Sequence, residues 1–130
     1  ILKAGRVLQE TTPRDAYDAP ASLDAAAALG PVNVFMGKVA NGAVQTPFGA
    51  VAAAHLPNAA AAQVAVRAEA LALTPGGGAR VVRVRPHGAH DLVRIESQSV
   101  IWRALTPART PLGETVSVSI QAAGAFAFSA

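Results

Sequence analysis

Three arginines at strand spacing are the side chains of this sequence best suited to bind a partner. Arg83 and Arg85 alternate with Val82 and Val84, a period of two that predicts a β-strand with the arginines on one face and the valines on the other. Arg94 follows a turn and falls on the same face of the predicted return strand. Guanidinium groups clustered in this way can hold a small oxyanion or an acidic partner, so the spacing predicts an anion- or partner-binding site.

Other chemistries are less well supported by the residue pattern. The same arginines also fit a solvent-facing side of a barrel, with Glu96 paired across the strands, and the pattern favours that interpretation over an anion site. His87, His90 and Asp91 are of metal-ligand type, but they fall in a predicted turn. The only other histidine, His55, is too far along the sequence to be assumed a further ligand. The sequence has no GxxxxGK[ST] phosphate loop and no GxSxG nucleophile elbow. We therefore predict no catalytic, cofactor-binding or metal-binding residues.

Composition excludes several further classes of protein. The 130 residues carry a net charge of +3, with 15% charged and 52% hydrophobic residues. Alanine (31) and valine (15) supply most of the apolar content, which favours a β-rich core of valines. The absence of cysteine excludes a disulfide scaffold and a thiolate metal site. A nucleic-acid surface would need aromatic residues beside arginine, and Trp102-Arg103 is the only adjacent pair, so the sequence disfavours nucleic-acid binding.

Two short helices are predicted near the start of the chain, after a strand hairpin around Ala4-Gly5. Thr12 and Pro13 are typical of a helix N-cap and first helical position, and Ser22 of a second cap. Gly30-Pro31 ends the second helix and marks a shift in charge, from three basic and four acidic residues before it to eight and four after it. We place a boundary there, between an N-terminal unit of residues 1–30 and a C-terminal unit of residues 31–130.

Residues 31–130 read as short strands separated by turns. Asn41-Gly42 predicts a two-residue hairpin turn, and Gln63 to Leu73 predicts a strand, a turn and a strand. The glycine-rich stretch from Pro75 to Gly78 predicts a flexible turn. Later alternating segments include one with Trp102 and a last one with Phe126 and Phe128. The expected fold is mainly β, a small barrel preceded by a short strand hairpin and two short helices.

Two stretches of the sequence resemble a known family, the ATP-binding subunits of ABC importers. The first resembles the end of their nucleotide-binding domain, although Thr11 stands where the family usually has glycine. The second, P-V-N-V-F-M-G-K-V at 31–39 with V-R-A-E at 66–69, resembles the start of their C-terminal regulatory domain of the OB-like TOBE type, with alanine in place of the usual proline in V-R-P-E. The residues that match the first pattern are Gly5-Arg6-Val7-Leu8-Gln9, Thr12-Pro13, Ala16-Tyr17, Pro20-Ala21 and Leu29-Gly30.

The resemblance implies a non-catalytic role. Residues 1–30 would be the tail of the nucleotide-binding domain with linker helices, and residues 31–130 the regulatory β-barrel domain. The chain begins at Ile1 in what reads as mid-strand, so we expect a piece of a longer protein whose ATP and Mg²⁺ sites lie upstream. The L-G-x-V-N pattern is most similar to the sulfate/thiosulfate importer ATPases.

The expected partners follow from the same resemblance. They are a second copy of the subunit and the transmembrane permease subunits, with a small oxyanion as an added ligand. The implied location is cytoplasmic, peripheral on the inner face of the cell membrane. The alternative function is a stand-alone oxyanion-binding β-barrel that uses Arg83, Arg85 or Arg94. An OB-type nucleic-acid binder ranks behind both, and a stand-alone enzyme ranks last.

Overall fold

The N-terminal unit contains two short strands and two short helices. The computed structural model describes residues 2–3, 6–7 and 13–130. Strands β1 (Leu2–Lys3) and β2 (Arg6–Val7) pair antiparallel, as the predicted hairpin requires. The hairpin turn at Ala4-Gly5, the Thr12 cap, and Leu8 and Gln9 of the first matched stretch lie outside the described residues.

The two helices begin where the sequence predicts. Helix α1 (Pro13–Asp18) starts at the predicted proline, and helix α2 (Leu23–Ala28) follows Ser22. The Ser22 hydroxyl accepts a hydrogen bond from the Ala25 amide at 3.1 Å, which confirms the predicted cap. Gly30, with a φ of +144°, then turns the chain away from the helix.

Nine further strands form the rest of the chain. They are β3 (Val32–Lys38), β4 (Ala43–Thr46), β5 (Gly49–Ala52), β6 (Ala61–Arg67), β7 (Leu71–His87), β8 (His90–Ser97), β9 (Val100–Pro107), β10 (Thr115–Ile120) and β11 (Ala125–Ser129). Their pairing is antiparallel throughout, in sheets of order β10-β7-β8-β9, β11-β6-β3 and β4-β5. The chain is therefore mainly β, as predicted. Because these sheets are open, the predicted closed barrel is not confirmed.

Of three turns that the sequence predicts, the structure confirms one, places one differently and contradicts one. Asn41 and Gly42 have φ values of +52° and +76°, as a two-residue turn requires, but they join only a single bridge, and β4 pairs with β5 instead of β3. The 3-10 helix Ala68–Ala70 separates β6 from β7, which confirms the predicted strand–turn–strand. The turn predicted for 75–78 is wrong, because β7 runs through these residues as one strand.

The pairing of strand β7 with its neighbours is irregular at two places, and neither irregularity ends the strand. Its pairing with β10 jumps from Pro75 to Arg80, so residues 76–79 loop out of the ladder. A second shift leaves Val82 without a partner between Val81 and Arg83. Val82 is 42% exposed, and Val84, which lies opposite the buried Val93, is 49% exposed, so neither valine is buried in the core.

The core lies between the sheets and consists mainly of valines around one aromatic pair. Trp102 is 2% exposed and stacks on Phe48, with ring centroids 4.8 Å apart. Ile95, directly opposite Trp102 in the sheet, is fully buried, and so is Val93 on the same strand. Buried alanines fill the remaining space, so many of the alanines contribute to close packing between the sheets.

Candidate functional site

The four-stranded sheet aligns three arginines across three neighbouring strands. Arg83 on β7 lies directly opposite Arg94 on β8, and Arg94 lies directly opposite Arg103 on β9. Directly opposite residues of an antiparallel sheet point to the same face, so the three side chains share one face. All three residues are exposed. We call this set, Arg83, Arg94 and Arg103, the arginine row.

The structure places two of the three predicted binding residues directly beside each other. Arg83 and Arg94 are direct neighbours, as predicted. Arg85 shares their face one step along β7, but its partners across the sheet are Leu92 and then Leu105. It is therefore adjacent to the arginine row and not a member of it.

Sequence reasoning missed the third member of the row. Arg103 follows Trp102 directly, and neighbouring residues of a strand point to opposite faces. Because Trp102 is buried, the alternation alone places Arg103 on the outer face. The signal was present in the sequence, but matching it to Arg94 required the register of β8 with β9, which no local pattern supplies.

The arginine row carries its positive charge without a carboxylate among the described residues. In the neighbouring position, Glu96 pairs with Arg80, with Nη2 and Oε1 2.6 Å apart, so that carboxylate is already engaged. The predicted cross-strand pairing of Glu96 is thus confirmed, but it neutralises an arginine outside the row. Like charges directly opposite each other destabilise a sheet, and the row contains two such pairs.

A second polar cluster joins the two helices to the β-sheets. Arg67 is fully buried at the end of β6. Its Nη1 donates to the Ala26 carbonyl at 3.1 Å, and its Nη2 donates to the Tyr17 carbonyl at 3.0 Å. Its guanidinium carbon lies 3.9 Å from the centroid of the Tyr17 ring and 5.5 Å from that of Phe126. The side chain thus holds both helices with donors and a cation–π contact.

The phenol of Tyr17 completes this cluster. Its hydroxyl donates a hydrogen bond to Glu69 Oε1. Burial raises the pKa of Tyr17 to about 12, with the hydrogen bond to Glu69 and the negative charge of that carboxylate adding to the rise and Arg67 opposing it. We call Tyr17, Arg67 and Glu69 the linker cluster. Tyr17 belongs to the first matched stretch and Arg67 and Glu69 to the second, and the sequence did not predict their contact.

The structure does not gather His87, His90 and Asp91 into a group of three metal ligands. His87 and His90 lie directly opposite each other at the end of the β7–β8 hairpin, and both are exposed. The Asp91 carboxylate accepts a hydrogen bond from the Arg109 amide at 3.0 Å. Among the described residues, no group of three or more His, Cys, Asp or Glu side chains is placed to hold a metal ion.

A groove of about 640 Å³ runs beside the last strand. Its walls include the segment 18–23 between the helices, Phe126 and Phe128 on β11, and His55. The Nε2 atom of His55 lies 2.9 Å from the Ala127 carbonyl, so the imidazole donates to the backbone of β11. The residues that line the groove are mainly apolar or small, and its polar members are Asp18, Ser22, His55 and Ser129.

Comparison of the sequence with known proteins does not assign the chain to a family. The chain matches no protein-family model, and no curated protein matches it significantly. Within the part of the chain that the structure describes, no helix has the length and apolar character needed to cross a membrane.

Proposed function

We propose that the chain is the C-terminal regulatory and dimerisation region of an ABC importer ATP-binding subunit, of the sulfate/thiosulfate or a related oxyanion type. In this proposal residues 31–130 form an OB-like TOBE module, and residues 1–30 are the tail of the nucleotide-binding domain with its linker helices. The chain itself is non-catalytic, and ATP and Mg²⁺ bind to the domain upstream. The support begins with the matched stretches of sequence.

The observation that carries the proposal is the linker cluster. Tyr17 belongs to the matched stretch T-P-x-x-A-Y, and Arg67 and Glu69 belong to the matched V-R-A-E. The two stretches are 50 residues apart in the chain, yet the phenol, guanidinium and carboxylate meet. A contact between the stretches that carry the resemblance supports the view that they act together.

The chemistry of that contact suits a regulatory role. A buried guanidinium that lost its two carbonyl acceptors would leave an uncompensated charge, so Arg67 strongly favours one arrangement of the helices on the sheets. A regulatory module must pass changes in its own position to the domain before it. A buried charged contact at the linker, rather than a flexible tether, supports such coupling.

The proposed partners are a second copy of the subunit and the permease subunits of the transporter. Open antiparallel sheets leave unpaired strand edges, which can pair with another chain. The proposed location is the cytoplasmic face of the membrane, where the permease would hold the complex. The second candidate function is anion binding at the arginine row, which has no carboxylate partner among the described residues.

The reading frame upstream of the Ile1 codon tests the proposal most directly. We expect about two hundred further codons in frame, with a GxxxxGK[ST] motif among them. Sedimentation velocity of the longer protein should then show a dimer that weakens when Arg67 is replaced by alanine. A start codon immediately before Ile1, or an upstream domain with no phosphate loop, would contradict the proposal.

A further inference from the structure

The outer face of the β7–β8–β9 sheet combines positive charge with exposed apolar side chains. On one side the arginine row is flanked by the Arg80–Glu96 ion pair and by Ile101, which is 52% exposed, and on the other by Leu92 and Leu105, which are half-buried. Arg85 adds a further charge beside these leucines. Arginine at the centre with apolar neighbours is the composition of a protein-binding surface.

From this arrangement we propose that the face docks an acidic protein surface, one that presents carboxylates in line with Arg83, Arg94 and Arg103. In the free chain Arg94 is repelled by Arg83 on one side and by Arg103 on the other, and a facing row of carboxylates would offset that repulsion. Carboxylates also accept the two parallel N–H donors of a guanidinium in bidentate geometry. The inference does not depend on the proposed transporter function.

The shape and composition of the face decide between kinds of anion. A small oxyanion is held tightly by a concave site that surrounds it, whereas these side chains project from the exposed face of a sheet. A single nucleic-acid strand needs aromatic rings for its bases, and Trp102, the aromatic residue nearest in sequence to the row, is buried on the opposite face. The exposed isoleucine and leucines suit a protein surface better than either.

The net charge of the chain also indicates which kind of protein would dock on the arginine row. A second copy of this chain carries a net charge of +3, with 11 basic and 8 acidic residues, so it would add repulsion over distance. A partner of net negative charge would instead be attracted before contact. The expected occupant is therefore a different, acidic protein, and not a second copy.

A labelled peptide of alternating glutamate and valine, about 12 residues long, tests this inference by fluorescence anisotropy with the full chain. Alternation places all of its carboxylates on one face when the peptide is extended. We expect saturable binding that weakens as salt rises through the range in which charges are screened. The same peptide with glutamine for glutamate should not bind.

Matched variants locate the binding. Arg94→Gln should weaken binding at least about tenfold, since a guanidinium–carboxylate contact is lost at the centre of the row. Arg14→Gln removes the same charge from an exposed helix position and should leave binding unchanged. Circular dichroism melting of both variants, with Arg83→Gln as a second row variant, checks that they remain folded.

The outcomes are decisive in both directions. Equal weakening by Arg94→Gln and Arg14→Gln would show only a general charge effect and would overturn the inference. It would also be overturned if a thymidine oligonucleotide of equal charge bound more tightly than the peptide, or if inorganic sulfate saturated the row at submillimolar concentration. Self-association abolished by Arg94→Gln would identify a second copy as the occupant and overturn the choice of a different protein.

Discussion

The side chain of Asn33 pairs with the backbone of Arg103 as a neighbouring strand would. Its Oδ1 accepts from the Arg103 amide at 2.7 Å, and its Nδ2 donates to the Arg103 carbonyl at 2.8 Å. Both backbone groups of Arg103 therefore point away from β8, so Arg94 and Arg103 form a non-hydrogen-bonded pair, with Cα atoms about 4.5 Å apart. One buried amide thus joins two sheets at the strand position where Arg103 lies opposite Arg94.

Replacing Asn33 with alanine should destabilise the fold by about 2–4 kcal/mol, because it leaves the Arg103 amide and carbonyl without their partner. The Val66 carbonyl, which also accepts from Asn33 Nδ2 at 3.2 Å, loses a bond as well. Urea denaturation measures the change. Asn58→Ala, at an exposed position with one long hydrogen bond to the Asn41 amide, should change stability by less than about 0.5 kcal/mol. Equal effects of the two variants would contradict this role for Asn33.

Replacing Arg67 with lysine should destabilise the chain by about 2 kcal/mol or more, although the charge is kept. A lysine ammonium cannot reproduce the planar fork that reaches the carbonyls of Ala26 and Tyr17 together. Thermal melting measures the loss, and Arg14→Lys on exposed helix α1 is the control. A lysine variant as stable as the wild type would show that the positive charge alone holds the helices.

Tyr17 should ionise at unusually high pH, near 12. It is the only tyrosine of the chain, so tyrosinate absorbance reports this residue alone. The folded-state pKa of about 12 lies above the ordinary value of 10.0. The stability that this raised pKa represents is therefore present below pH 10 and is lost as pH rises towards 12.

The Glu69→Gln variant separates the causes of this raised pKa. It removes the nearby negative charge and keeps an oxygen for the hydrogen bond, so the pKa of Tyr17 should fall but stay above 10, because burial is the largest cause. Circular dichroism across the titration confirms that the chain is folded at each pH. A wild-type midpoint at 10 in the folded chain would contradict the linker cluster.

Local patterns in the sequence predicted many of the strands and the Ser22 cap but not the register of the strands. The alternation of arginine and valine identified the second half of β7 and the strand β8, and Ser22 identified the start of α2. The bulge at Val82 was not predicted, because Val82 to Arg85 alternate regularly and only the adjacent pair Val81-Val82 departs from the period of two. The same limit hid Arg103 from the predicted site, since a cross-strand neighbour depends on tertiary pairing.

Glycine at position 77 should be required by the bulge that residues 76–79 form in β7. A Cβ there would overlap with the Ser117 hydroxyl and the backbone of Ser117 and Val116. Gly77→Ala should therefore destabilise the chain by about 1–3 kcal/mol. Gly78→Ala is the matched control, since a Cβ there meets nothing within 4 Å. If both alanine variants had the stability of the wild type, the bulge would not pack against β10 as described.

Removing one charge from the arginine row should stabilise the free chain. Arg94 faces a like charge on each side, so Arg94→Gln should raise the free energy of unfolding by about 0.2–1 kcal/mol at low salt. Arg80→Gln, which breaks the ion pair with Glu96, should lower it or leave it unchanged. Urea denaturation in 20 mM and 1 M salt measures both effects, and the gain should disappear at high salt, where charges are screened.

This stability measurement also bears on why the row exists. A position where glutamine is more stable than arginine is one where the free fold gains nothing from the charge, and binding sites commonly carry such a cost. If Arg94→Gln instead destabilises the chain at low salt, the three guanidinium groups must be solvated or paired well enough to avoid repulsion. The row would then be an ordinary outer face of the sheet, and the argument that a carboxylate partner relieves it would fail.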